Sequence, residues 1–181
     1  TYSYLIQDSF EVPELSHVNI QDFGFSNADA DKSYGTEEVI VLGEGCHGIN
    51  QSQCHGIITL DLSQIPLNLS HSFHSVNLTL FVESFDFSSG AYQVDLNLYQ
   101  LLIPGLNEYI ATWNNSLSSG SLVSGLDYAA TPLDSVSFNG NGQVITFSFN
   151  IPTVALDGLI ELIIISDTLS NSGSLDGYLT V

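Results

Sequence analysis

The stretch His74–Ser84, HSVNLTLFVES, decides the fold. Val76, Leu78, Leu80 and Val82 fall on one face, and Asn77, Thr79, Phe81 and Glu83 on the other. A period of two marks a half-buried β-strand, because successive side chains on a pleated backbone point to opposite faces. Asn77 opens an Asn-Leu-Thr sequon on the outward side, where a glycan fits. The pattern recurs along the chain. Tyr92–Leu102, YQVDLNLYQLL, turns Val94, Leu96 and Leu98 inward and Asp95 and Asn97 outward. Val136–Phe138 and Val144–Phe149 flank Asn139-Gly140-Asn141-Gly142, a strong hairpin signal. Leu159–Ile165, LIELIII, is nearly all apolar and reads as a strand buried on both faces. Thr36–Gly43, Gly56–Ser63 and Ser174–Val181 add further strands, and only Gly105–Trp113 gives a weak helical or irregular signal. Some nine to eleven antiparallel strands with no Pro/Ser linker predict an all-β jelly-roll β-sandwich in one domain, residues 14–181. Residues 1–13 form an N-terminal extension to it.

The 181 residues suit a single core. Against 20 Asp and Glu there is one basic residue, Lys32, and the formal net charge is −19. A nucleic-acid partner is excluded, because that affinity comes from Lys and Arg neutralising phosphates. The same argument disfavours anionic membrane surfaces. No apolar run is long enough for membrane insertion. Charged residues are only 12% of the chain, so Ser, Thr, Asn and Gln must cover the surface. With one cation available, salt bridges cannot hold the fold. Acid would neutralise the carboxylates and relieve self-repulsion, which suits an acidic external medium. The chain opens at Thr1 with no Met and no basic leader, and the expectation is a mature, processed product or a fragment, secreted or at the cell surface.

Cys46-His47-Gly48-Ile49 and Cys54-His55-Gly56-Ile57 repeat the same four residues, and both copies are expected in a loop between strands. A Cys46–Cys54 disulfide closing that loop fits an oxidising compartment and would contribute on the order of 2–3 kcal/mol. The alternative is a Cys₂His₂ metal site, although structural zinc spacing normally separates Cys from Cys and His from His by two or more residues. Asp29, Asp31 and Glu37 are candidate oxygen ligands for Ca²⁺, or else loop acids beside Lys32. No other cofactor is expected. Sequons stand at Asn50, Asn68, Asn77 and Asn114, which would make the chain a glycoprotein. Trp113 with Tyr109 offers stacking surface for a sugar, or core packing. No nucleophile elbow, phosphate-binding loop or HExxH motif is present, and the chain is not expected to be an enzyme.

The order of several short motifs resembles DNRLRE-type extracellular domains. Ser26–Gly43, SNADADKSYGTEEVIVLG, is similar to that family's entry turn and strand, and Gly56–Pro66, GIITLDLSQIP, to its "LLRFDLSSIP" element. Val76–Val82 and Val94–Leu101 resemble its paired central strands, Ala111–Asn115 (ATWNN) its "TWNN" element, and Gly177–Val181 (GYLTV) its closing strand. The resemblance implies a jelly-roll on secreted or surface proteins, used in adhesion, structure or carbohydrate binding. The family's Arg before "FDLS" is absent here, where Ile57–Thr59 stand instead. A site that needs Arg or Lys against an acidic sugar therefore does not carry over.

Residues 1–13, TYSYLIQDSFEVP, lie upstream of this pattern and are strand-like. They are either an extra edge strand or a donor strand that completes a neighbour's sheet through Tyr4, Ile6, Phe10 and Val12. A head-to-tail contact of the second kind does not close and builds a filament. The leading expectation is a homopolymer of this chain, an extracellular filament or pilus held by donor-strand complementation, with Leu159–Ile165 a wall of the acceptor groove. The alternative is a secreted polysaccharide-binding or adhesive module.

Overall fold

In a computed structural model of the chain, the described residues are 14–23, 39–44, 52–61, 76–87, 93–103, 122–140, 144–150, 159–166 and 177–181. Ten strands run through them: β1 (Glu14–Phe23), β2 (Val41–Glu44), β3 (Ser52–Asp61), β4 (Val76–Phe81), β5 (Ser84–Phe87), β6 (Val94–Gln100), β7 (Asp134–Phe138), β8 (Val144–Phe149), β9 (Leu159–Ser166) and β10 (Gly177–Thr180). The described residues contain no helix. The larger sheet has the order β5-β10-β2-β3-β9-β6-β7, with β1 added to β3, and β4 and β8 form a second, two-stranded sheet. All pairings between the strands are antiparallel. The sheets curl over one apolar core, so the expectation of an all-β sandwich holds.

The alternation seen in the sequence builds that core. Leu78 and Leu80 on β4, Ile145, Phe147 and Phe149 on β8, and Leu96 and Leu98 on β6 all meet in it. They pack against Ile58 and Leu60 of β3, Ile160, Leu162 and Ile164 of β9, and Leu179 of β10. As its composition predicts, β9 is buried on both faces. Ile163 and Ile165 turn away from the main core into a second cluster with Ile57 and Leu101.

A turn at residues 122–129, not foreseen from the sequence, covers that second cluster. Leu122 and Tyr128 pack on it, and Tyr128 meets Tyr99 edge to face at 4.8 Å. Gly125 takes φ +79, a region open to glycine. The fully buried Asp127 accepts a hydrogen bond at Oδ2 from the Val123 amide at 2.8 Å, and its own amide donates to the Val123 carbonyl at 2.9 Å. The Leu102 amide donates to the Asp127 carbonyl and the Ala129 amide to the Gln100 carbonyl, which moors the turn to the end of β6. The signal for it was the Ser-Gly-Leu-Asp run, since Asp bonds its own backbone in turns.

β3 corrects one expectation. It begins at Ser52, so Cys54-His55-Gly56-Ile57 lies inside a strand and not in a loop. All four residues are buried, and burial on both faces outweighs the low strand preference of glycine. β1 pairs along β3 from Ser16↔Thr59 to Phe23↔Ser52. A strand has two edges, so β2 and β9 divide the other one. β2 takes Gly43↔Cys54 and Glu44↔Gln53, and β9 takes Gly56↔Ile164 through Asp61↔Leu159. Gly56 sits where they part. A Cβ there would stand 2.5 Å from Ile40 Cγ2 and 3.1 Å from Leu42 Cδ2, so glycine answers a close approach. The pleat also sends Cys54 and His55 to opposite faces, and this adjacent pair cannot serve one metal ion together. Cys46 and His47 lie outside the described residues.

The Asn-Gly segment corrects a second. β7 and β8 do not form a ladder with each other: β7 pairs with β6 and β8 with β4. Both strands turn apolar residues into the same core from opposite sheets. The two strands still lie side by side, at a corner where the larger sheet meets the smaller one. The Asp134 carboxylate holds the corner by accepting from the Ser148 amide at 2.6 Å.

Candidate functional site

Among the described residues, the two strands of the smaller sheet differ in burial. On β8 the inward residues Ile145, Phe147 and Phe149 are buried. Their cross-strand partners on β4 are Leu80, Leu78 and Val76, which share the same inner face but are only partly buried. Val82, which continues that face, is also partly buried against the core. Burial thus falls off across a single pair of strands.

The edges explain the difference. The Ser148 amide of β8 points away from β4 and meets Asp134, so β7 shelters that edge. Among the described residues β4 pairs only with β8, which leaves its second edge without a ladder. Two residues later the chain enters β5, which ends the larger sheet and pairs with β10. Phe85 faces Leu179 across that ladder and packs edge to face on Phe138 at 5.5 Å, yet 47% of it is exposed. Val76, Leu78, Leu80, Val82 and Phe85 therefore mark an apolar rim along β4 and β5, where the core meets solvent. The rim can take a further strand, whose backbone would pair with an edge and whose alternate side chains would cover the partly open residues.

The outer face of the small sheet is polar for most of its length. Ser148 Oγ donates to Asn77 Oδ1 at 2.8 Å, and the Thr79 and Thr146 hydroxyls lie 3.4 Å apart. The face ends in an apolar pair, Phe81 at 72% and Val144 at 48% exposure. Asn77 is exposed, on the side its sequon requires. A second polar face lies on β6 and β7. Ser137 Oγ and Gln93 Nε2 both donate to Asp95 Oδ1, Ser135 Oγ donates to Asn97 Oδ1, and these residues line a shallow cleft of about 360 Å³.

The remaining sequence candidates divide simply. Cys54 is fully buried on β3. Cys46, the donor residues Tyr4, Ile6, Phe10 and Val12, the sequons at Asn50, Asn68 and Asn114, the acids Asp29, Asp31 and Glu37, and Tyr109 and Trp113 lie outside the described residues. Leu159–Ile165 lines the core, but β9 is a central strand with both edges taken by β3 and β6. It offers no edge, and its inward residues Ile160, Leu162 and Ile164 are already buried in the core. Among the described residues no group of His, Cys, Asp or Glu is placed to hold a metal, and no helix is long and apolar enough to cross a membrane. The open rim was not read from the sequence. Nothing in VNLTLFV says that its partner strand would be covered and it would not. No family model matches the chain, and no curated protein matches it.

Proposed function

We propose that this chain is a structural subunit of an extracellular filament or pilus, assembled when residues 1–13 of one copy complete the open rim of the next. The partial burial of the inner face of β4 beside the full burial of β8 carries this reading. The extension is long enough. Thirteen extended residues reach roughly 40 Å, and the six residues of β4 span about 20 Å. β1 pairs with β3 of its own chain from Glu14 onward, so the extension departs from an anchored strand. Tyr4, Ile6, Phe10 and Val12 would each contribute about 1.5–3 kcal/mol if fully buried, before ordering costs. Each main-chain hydrogen bond would add about 0.5–1.5 kcal/mol net. The chain would share with DNRLRE-type domains an extracellular sandwich put to structural use.

Deleting residues 1–13 should leave a soluble monomer by size exclusion and no fibres by electron microscopy. A synthetic peptide of those residues should bind the truncated chain and block its pairing with full-length protein. Filaments of unchanged form from the truncated chain would end this reading in favour of the second one, a polysaccharide-binding module. The polar cleft of Asp95, Asn97, Ser135 and Ser137 favours that alternative, since such groups bond sugar hydroxyls. None of the side chains lining it is aromatic, which weakens it as a sugar platform.

A Cys46–Cys54 bridge belongs to the same extracellular reading. It is supported by the burial of Cys54 and by the lack of any free cysteine among the described residues. Thiol labelling of the denatured, unreduced chain should find no reactive sulfur. Labelling of both cysteines would overturn the bridge.

A further inference from the structure

The outer face of β4 and β8 is a strip of three cross-strand pairs: Asn77 opposite Ser148, Thr79 opposite Thr146, and Phe81 opposite Val144. All six side chains are exposed. The first two pairs are polar and joined through their hydroxyls. The third presents a phenyl ring and a branched aliphatic side chain to water at the end of the strip. None of the six is charged.

Asn77 stands at the other end and begins Asn-Leu-Thr, with Thr79 on the same face. Its amide is held by one atom only. Oδ1 accepts from Ser148 Oγ at 2.8 Å, and Nδ2 has no acceptor among the described residues. Nδ2 is the atom to which a sugar is joined. A sugar there leaves Oδ1 an acceptor, so the Ser148 contact survives the modification. Asn97 on β6 accepts from Ser135 Oγ in the same way, but Leu98 and Tyr99 follow it and no sequon results. The Asn–Ser contact alone therefore marks nothing. The added Thr79 and the exposure of the whole strip distinguish Asn77. From Asn77 to Phe81 is roughly 13 Å along the strand, and only Thr79 stands between them on that face. A few linked sugars span that distance.

We infer that Asn77 carries an N-linked glycan whose first sugars lie along this strip and cover Phe81 and Val144. The inference rests on the extracellular part of the filament reading and not on strand exchange. The sugar donor is a polyprenyl-phosphate-linked oligosaccharide, used by an oligosaccharyl transferase. Asn77 Nδ2 bonds to the anomeric carbon, and the carbon–oxygen bond to phosphate breaks. The phosphate leaves with that electron pair, and one amide proton passes to a base of the transferase. Sugar hydroxyls meet Thr79 and Thr146 in the middle of the strip. At its end the C–H face of a pyranose suits the electron-rich face of the phenyl ring. The glycan occupies the outer face only, so the inner face of β4 stays available to a further strand.

The experiment compares the native, secreted chain with Thr79→Ser, Thr79→Ala and Asn77→Gln from the same host. Thr79→Ser keeps the sequon. Thr79→Ala destroys it but keeps Asn77 and its Ser148 partner. Peptide mass spectrometry should find a glycan on Asn77 in the native chain and Thr79→Ser, and none in Thr79→Ala. Hydroxyl-radical footprinting of the folded chains should label Phe81 about twofold faster in Thr79→Ala, since a planar ring covered on one face keeps only the other. Asn77→Gln, which loses the glycan in another way, should match it. Phe85, 47% exposed on the larger sheet, is the internal reference and should label equally in all four chains. Unmodified Asn77 in secreted filaments would overturn the inference and leave the filament reading standing. A glycan on Asn77 with equal labelling of Phe81 in all chains would overturn the covering. A native chain retained inside the cell without a glycan would overturn both the inference and the extracellular reading.

Discussion

Gly56→Val should lower the stability of the folded chain by at least about 3 kcal/mol, and Gly56→Ala by about 1–3 kcal/mol. Two effects compete at this position. Removing a glycine from a strand restricts the unfolded chain and by itself favours folding by about 0.4–1 kcal/mol. Against that, the new Cβ would lie 2.5 Å from Ile40 Cγ2, well inside contact distance, in a buried layer. Close-packed interiors give way little, so the clash decides the sign. For a chain of this size each kcal/mol moves the melting temperature by roughly 2–4 °C. The clash has one main author, which offers a sharper measurement. Ile40→Ala removes Cγ2 at the cost of a cavity. In the double variant Gly56→Ala/Ile40→Ala the two costs should fall short of their sum by about 0.5–3 kcal/mol. Simple additivity by urea denaturation would mean that Ile40 does not rest on Gly56.

Acid should destabilise the fold through His55. Only 2% of this residue is exposed, and desolvation by burial lowers its pKa from 6.5 to about 4. The unfolded chain therefore takes up a proton at a higher pH than the folded chain. His55 leaves stability undiminished above about pH 6.5 and takes it away progressively as the pH falls towards 4. The full loss is about 3 kcal/mol, since each tenfold change in proton affinity is worth about 1.36 kcal/mol. Urea denaturation at pH 7, 5.5 and 4 should show this decline in the native chain, and His55→Leu should flatten it. Equal pH dependence in the two chains would remove His55 from the account. The effect opposes the relief of repulsion among the 20 acids.

The strands with a clean period of two were legible without a structure. Val76–Phe81, Val94–Gln100 and Val144–Phe149 needed only alternation, and Leu159–Ser166 only its unbroken apolar run. Partnership was harder to read. The Asn139–Gly142 turn promised that β7 and β8 would pair, and a local signal of this kind knows nothing of β6 and β4, which take those ladders instead. β3 was half missed for a related reason. The strand was read from Gly56 onward, and its start, Ser52–His55, becomes strand because β1 and β2 pair with it there. β1 and the short β5 escaped notice as well. The partial burial of β4 depends on its pairing, which among the described residues is with β8 alone, and not on its own residues. The outward placement of Asn77 could be read directly, because a face follows from pattern alone.

The forked pairing of β3 also sets a kinetic condition. β9 reaches β3 through Gly56↔Ile164, a contact between residues roughly a hundred positions apart. Closing so large a loop must be paid in chain entropy before the contacts repay it, and folds dominated by such pairings form in milliseconds to seconds. Until β9 arrives, the edge of β3 opposite β1 is open from Gly56 to Leu60. A newly made chain thus passes through an interval in which an inner strand is as available to a stranger as the rim proposed for assembly. The order of events during synthesis then governs whether that edge meets β9 or a second chain.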